Sequence, residues 1–160
     1  MTDPERSVFP EGWTVRPATA VDTPQLAALE IEAREALVDA RGGAALLAEQ
    51  PAVDDWAALL ADGLHRVWVA TIDDVVVGFL QLRHAEDAPT GVVVQVYVAP
   101  DAREVGFGDV LLAEAIGAIR ASGGVCVESF ALPGDRDTKN LYERAGVTAR
   151  KIIVSKRFDR

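Results

Sequence analysis

Gln95-Val-Tyr-Val-Ala-Pro-Asp-Ala-Arg-Glu-Val-Gly-Phe-Gly-Asp109 decides the reading of this 160-residue chain. Val92, Val94, Val96 and Val98 alternate, which predicts a strand with one apolar face running up to Pro100. Beyond the glycines, Leu111, Leu112, Ala115, Ile116 and Ile119 recur at three- and four-residue intervals, which predicts a helix. A strand, a glycine-bearing turn and a helix start are the parts of an anion cradle. The first N–H groups of a helix lack an internal partner, and the helix dipole adds partial positive charge there. Glycines at 106 and 108 remove side chains that would hold a phosphate away from those groups. The segment therefore points to a phosphate-bearing ligand.

Other phosphate motifs share these parts. A P-loop requires Gly-Lys-Ser/Thr after its spacers, and the chain has no such run. A dinucleotide fingerprint requires a third glycine where Leu111 stands, and it follows the first strand of a domain. Here the loop follows roughly the fourth. The segment resembles the Arg/Gln-x-x-Gly-x-Gly/Ala signature of the GNAT superfamily of acyl-CoA-dependent N-acyltransferases, with Arg103, Gly106 and Gly108 at the three defining positions. In that family this loop, here Arg103, Glu104, Val105, Gly106, Phe107, Gly108 and Asp109, grips the pyrophosphate of coenzyme A. Taken alone, an arginine before a glycine turn also occurs as an ordinary surface loop.

The resemblance extends from about Trp13 to the C-terminus. Trp13 to Thr19 reads as a first strand, and Thr23-Pro24 as a helix cap followed by an apolar stripe of Leu26, Leu29, Ala33 and Leu37 that Gly42-Gly43 ends. A second helix from Asp54 or Asp55 carries Trp56, Leu59, Leu60 and Leu64. Arg66 to Thr71 and Val75 to Arg83 predict a hairpin turning at Asp73-Asp74. After the loop, the helix runs to about Ser122, a fifth strand covers Val125 to Ala131, a short helix covers Asp137 to Ala145, and a last strand lies near Ala149 to Phe158. That order is the family's. It implies an α/β (α+β) fold with a mixed, mostly antiparallel central sheet flanked by helices on both faces. A single domain over 13–160, preceded by a tail over 1–12, is the expected organisation.

Composition fits one domain with one core. No apolar run approaches the length of a membrane span, and the polar start Met1-Thr-Asp-Pro-Glu-Arg6 has no apolar signal region. One cysteine excludes an internal disulfide, as expected of a cytoplasmic protein. Cys126, between Val125 and Val127, is expected to be a buried, inert thiol. One cysteine and two isolated histidines, His65 and His84, supply no metal-ligand cluster, and the histidines are expected at the surface.

Charge is uneven. Nine acids against Arg34 and Arg41 give residues 22–62 a net of −7, whereas 136–160 carry +5. In the family the first two helices wall the acceptor site. An acidic wall would attract a cationic amine and repel nucleic acid. The alternative is a set of solvated helix faces.

The resemblance also implies a chemistry: transfer of an acetyl group from acetyl-CoA to a primary amine of a small molecule or peptide, by direct attack and with no metal. The oxyanion donor would be a backbone N–H of Val98 or its neighbour Tyr97. Leu141-Tyr142-Glu-Arg-Ala-Gly146 matches the family's Leu/Phe-Tyr-x-x-x-Gly element, which makes Tyr142 the general acid. Some members carry a base early in the fourth strand, where this chain has Val92. Glu128 on the fifth strand is the candidate base, although Leu132-Pro-Gly134 lengthens its spacing to Tyr142, and a water is the other option. Asp135 stands where the family often has an asparagine contacting the cofactor's pantetheine arm. Only fourteen residues follow Gly146, which suits one strand and leaves a sheet edge that a partner subunit could cover. Members are often dimers, so a homodimer is expected. The rival reading is a catalytically silent acyl-CoA-binding domain.

Overall fold

The computed structural model describes residues 9–158. Alternating apolar runs form five strands, β1 (Trp13–Pro17), β2 (His65–Ile72), β3 (Val75–Arg83), β4 (Thr90–Val98) and β5 (Cys126–Glu128), which lie side by side in that order. The first three pairings are antiparallel and β4 pairs β5 in parallel. Five helices accompany them: α1 (Thr23–Glu35), α2 (Gly43–Glu49), α3 (Trp56–Ala61), α4 (Phe107–Ala121) and α5 (Arg136–Arg144). The β2–β3 hairpin turns at Asp73 and Asp74, both left-handed (φ 48° and 67°), the geometry in which a two-residue turn matches the twist of its strands.

Each sheet face has its own core. Phe107, Leu111, Leu112, Ala115 and Ile119 of α4 bury against Trp68, Ala70, Leu80, Leu82 and Val93. On the other face Leu26 and Leu29 of α1 and Trp56 of α3 cover Val67, Val69, Val76 and Phe79. A Cβ at Gly91 would come within 2.5 Å of Ile119 Cδ1, so this glycine lets α4 approach β4. Phe9 lies at 4.8 Å from the Phe107 ring and Trp13 stacks on it at 5.5 Å. Part of the expected tail thus joins the core, while its residues 1–8 lie outside the described residues.

Several expectations are corrected. Gly42 and Gly43 do not close the chain's first helical region but open α2, with Gly42 left-handed (φ 82°). The N-cap of α1 is Asp22, with Thr23 and Pro24 inside the first turn. Its carboxylate instead takes a bidentate pair from Arg16 (2.7 and 2.8 Å) and the Thr19 N–H (2.8 Å). The fifth strand is three residues long, since Ser129 leaves the ladder. Cys126 is exposed, because β5 is an edge strand and the cysteine falls on its outer pleat. His84 is buried, and its Nε2 lies 2.8 Å from the Ala88 carbonyl, which ties down the turn before β4. The expected last strand does not form within the chain: residues 147–158 carry no regular element, and Ile152, Ile153, Val154 and Phe158 are more than 80% exposed.

The Arg16–Asp22 pair fixes β1 to the start of α1. Its hydrogen bonds from Arg16 hold the Asp22 carboxyl below its ordinary value of 3.8 despite burial. A depressed folded value stabilises the fold above the unfolded pKa, and that contribution disappears as pH falls through the folded one. Asp22→Asn should therefore lower stability in urea by about 1–3 kcal/mol at neutral pH. The variant and the parent should converge in stability as pH falls through the parent's lowered carboxyl pKa, where its Asp22 becomes protonated as well.

Candidate functional site

The site starts where two strands part. β4 and β5 pair only over Thr90–Cys126, Gly91–Val127 and Val92–Glu128. Beyond that point β4 continues to Val98 with no strand beside it. Val94 is an extra residue relative to β3, a bulge between the Gln95–Gln81 and Val93–Leu82 pairs. The Ala99 N–H bonds Val77 O of β3 at 2.8 Å. Strand alternation then turns the Tyr97 N–H toward β3 as well, and those of Val96 and Val98 toward the open edge. Of the two expected oxyanion donors, Val98 is the one on the open side.

β4 delivers the chain into the glycine loop. Pro100–Ala102 form a 3-10 turn, Glu104 is left-handed (φ 66°), and Gly106 is left-handed (φ 97°) at the N-cap of α4. No side chain caps that helix. Its first N–H groups, on Phe107, Gly108 and Asp109, are therefore available to an anion. The Arg103 Nε donates to Val98 O at 2.9 Å, and its guanidinium lies 5.6 Å from the Tyr97 ring centre. The terminal nitrogens of this fork have no hydrogen bond among the described residues, and Arg103 is exposed beside the loop. Val105 is 43% exposed.

Four members of the expected set, Phe107, Gly108, Asp109 and Asp135, make contacts within the protein. The Phe107 ring is in the core, so only its backbone faces the cradle. A Cβ on Gly108 would sit 3.4 Å from Leu141, so that side of the glycine faces α5. The Asp109 carboxylate pairs with Arg144 of α5 at 2.8 and 3.2 Å, which neutralises an acid beside the cradle. Asp135 is likewise committed. Its two oxygens accept from the Thr138 N–H (3.0 Å) and hydroxyl (2.7 Å), making it the N-cap of α5.

Tyr142 stands at the root of the cleft. It is 7% exposed, and its hydroxyl lies 2.6 Å from Ser129 Oγ, which donates to Val93 O at 2.9 Å. A serine has one proton to give, so the phenol donates to Ser129. Burial pushes the Tyr142 pKa above 10.0 against the lowering effect of Ser129, with the Asp135 charge adding to the rise. The phenol stays protonated at neutral pH.

Glu128 lies on the opposite face from Val127, which packs on the α4 side, and it is exposed. On that second face lies a residue the sequence reading only counted as one charge among nine. Glu30 of α1 is 3% exposed, accepts from the Val53 N–H at 3.2 Å, and accepts from Gln95 Nε2 at 2.9 Å. Gln95 also donates to Gln81 Oε1 at 2.9 Å. The signal was present: Glu30 shares a helical face with Leu26, Leu29 and Ala33, a charge set into an apolar stripe. Glu32 and Glu35 are exposed. The acidic segment is thus not one wall: Asp22 pairs Arg16, Asp55 caps α3 through the Ala58 N–H, and Asp62 binds His65. Among the described residues no group of acids, histidines and cysteines is placed to hold a metal, and no helix is long and apolar enough to cross a membrane.

Comparison with known proteins agrees with this fold. No curated protein sequence matches the chain. Among solved structures, AAC(6')-Iy in complex with the bisubstrate analogue CoA-S-monomethyl-acetylneamine is similar with a TM-score of 0.68 at 17% identity, covering 92% of this chain and 98% of that one. The ribosomal-protein-alanine N-acetyltransferase from Brucella melitensis has a TM-score of 0.67 at 19% identity, covering 92% of this chain and 100% of that one. A predicted acetyltransferase with acetyl-CoA from Clostridium acetobutylicum has a TM-score of 0.67 at 13% identity, covering 91% and 96%. At these identities the likeness concerns the fold. The family model for the acetyltransferase (GNAT) family matches residues 30–147, and the chain belongs to that family.

Proposed function

We propose that this protein transfers an acetyl group from acetyl-CoA to a primary amine of a small molecule or peptide, by direct attack with both substrates bound. The observation that carries this reading is the pairing of an uncapped helix N-terminus with an open strand edge that has a buried, protonated phenol at its root. A long ligand with an anionic head and an amide-bearing arm fits that pair of features. When bound, acetyl-CoA supplies an electrophilic thioester carbonyl and a thiol leaving group.

The chain's own groups divide the work. The N–H groups of Phe107, Gly108 and Asp109 and the Arg103 fork hold the pyrophosphate. The free edge of β4 accepts an extended arm as if it were another strand, and the Val98 N–H is a fixed dipole for the oxygen on which charge develops. Ser129 keeps the Tyr142 hydroxyl in place, and the phenol turns its one O–H from Ser129 to the departing sulfur as it leaves. Glu128 takes the proton of the amine, directly or through a water. Its position on the second sheet face, which also carries Gln95, favours that role. A silent acyl-CoA binder of the same fold would bind the cofactor yet release no thiol with any amine. Thiol release from acetyl-CoA across an amine panel, with mass spectrometry of the products, separates the two.

Tyr142→Phe should lower kcat by about 10- to 100-fold while leaving acetyl-CoA affinity near that of the parent. The alkaline limb of the parent's kcat profile should lie above pH 10 and vanish in the variant. Unchanged turnover with chemistry rate-limiting removes Tyr142 from the mechanism. Glu128→Gln should lower kcat/KM for the amine with acetyl-CoA affinity unchanged, and an unaltered kcat/KM assigns the proton to another acceptor.

Gly106→Val puts a β-branched residue at φ 97° and deforms the cradle. Calorimetry should show acetyl-CoA affinity falling about tenfold or more, a loss of roughly 1.4 kcal/mol. Gly108→Ala should bind normally, because its Cβ would meet Leu141 at ordinary contact distance. Equal losses in both variants would contradict the placement of the cradle.

A further inference from the structure

We propose that Gln95 holds the incoming amine, its side-chain carbonyl Oε1 accepting an amine N–H, and that Glu30 is the positioning residue that keeps this oxygen free. Gln95 lies opposite Gln81 of β3, as Tyr97 lies opposite Phe79, so it is on the sheet face that α1 and α3 cover. It comes three residues after Val92, the last residue of β4 that β5 pairs, and directly after the bulge at Val94. There it is half-buried beside the open stretch of β4.

An amide nitrogen has two protons to give. Gln95 Nε2 donates both, to Glu30 Oε1 at 2.9 Å and to Gln81 Oε1 at 2.9 Å. Its Oε1 accepts no hydrogen bond among the described residues. The Glu30 carboxylate is held in turn by the Val53 N–H, 3.2 Å from each oxygen, and makes no ion pair among the described residues. A reversed Gln95 amide would set its oxygen against a carboxylate and a second carbonyl, acceptors with no proton between them. The charge on Glu30 therefore selects which end of Gln95 is left over.

Satisfying the core does not account for that charge. A glutamine at 30 would fill the same volume and hydrogen-bond without the cost of burying an ion. It would also let the Gln95 amide turn over, so what the carboxylate adds is a fixed acceptor oxygen beside the cleft. A fixed acceptor is matched by a donor, and the attacking amine is the donor in this reaction. Gln95 orients that nitrogen without taking its proton, which is left to Glu128 on the same face. From Gln95 to Val98 the strand advances about 10 Å, the length of two hydrogen bonds, a carbonyl and an attack distance placed end to end. The inference rests on the transfer reading for the identity of the donor, whereas the orientation of the amide stands without it.

Alaninamide, tyramine and butane-1,4-diamine are the probes, followed by thiol release from acetyl-CoA and by calorimetric binding to the CoA-loaded protein. Glu30→Gln should raise the amine KM and Kd about tenfold, with acetyl-CoA affinity within about twofold of the parent. Gln95→Met, which has no carbonyl, should do the same. It leaves Glu30 with one partner, so its circular dichroism and urea midpoint are measured alongside. Adding Gln81→Glu to Glu30→Gln places a carboxylate on the other contact of Gln95 Nε2. That double variant should recover the amine values to within about threefold of the parent, which packing at position 30 alone would not do. An unchanged amine KM and Kd in a folded Glu30→Gln or Gln95→Met protein overturns the inference. So does a loss that persists in a folded double variant. Amine binding that both single variants weaken, with no thiol released by the parent, supports the inference and sinks the transfer reading. A parent that binds none of the three amines and releases no thiol overturns both.

Discussion

The parting of β4 from β5 after Val92 and Glu128 is the constraint on which the site depends. Parallel strands of full length would satisfy each other's backbone groups and leave nothing for a ligand. Here β5 ends after three residues, and Ser129 substitutes a side-chain bond to Val93 O for the next rung. The Val94 bulge follows at once on the other strand. A bulge raises local twist and turns the strand, so the β4 edge swings clear with its N–H groups exposed. The same serine anchors the Tyr142 hydroxyl. One residue thus ends a ladder and holds the Tyr142 hydroxyl at the point where the cleft begins.

The loop after β4 is a second consequence. An open strand edge holds only an uncharged arm. A few residues later left-handed Glu104 and Gly106 turn the chain into α4 without a capping side chain, which leaves N–H groups suited to an anion. Proteins ordinarily satisfy a helix start with Ser, Thr, Asp or Asn. Leaving it bare has a stability cost that a bound anion would offset. Nearby acids are accounted for: Asp109 is paired with Arg144, and Asp135 caps α5.

The other face of the sheet is organised differently. Burial of Glu30 between α1 and β4 is satisfied by one backbone N–H and one amide, with no cation among the described ion pairs. Trp56 Nε1, buried on the same face, has no partner among the described residues.

Local chemistry settled much of this protein in the sequence alone. Asp73-Asp74 between two alternating runs specifies its turn, the stripe from Leu111 to Ile119 specifies the buried face of α4, and Arg103 to Gly108 specifies the loop, because each depends on neighbours a few residues away. The Leu141-Tyr142 element marked a position, and only tertiary structure supplied its partner, Ser129, thirteen residues distant. Long-range packing decided the rest. Glu30 needed β4 to become buried, Gly108 needed Leu141 to become a packing position, and Cys126 became exposed because β5 is an edge. The segment after Gly146 shows the difference most plainly. Its β-branched residues favour an extended chain, but strand formation requires a second strand. Sequence determines the propensity, and the three-dimensional arrangement decides whether a partner is within reach.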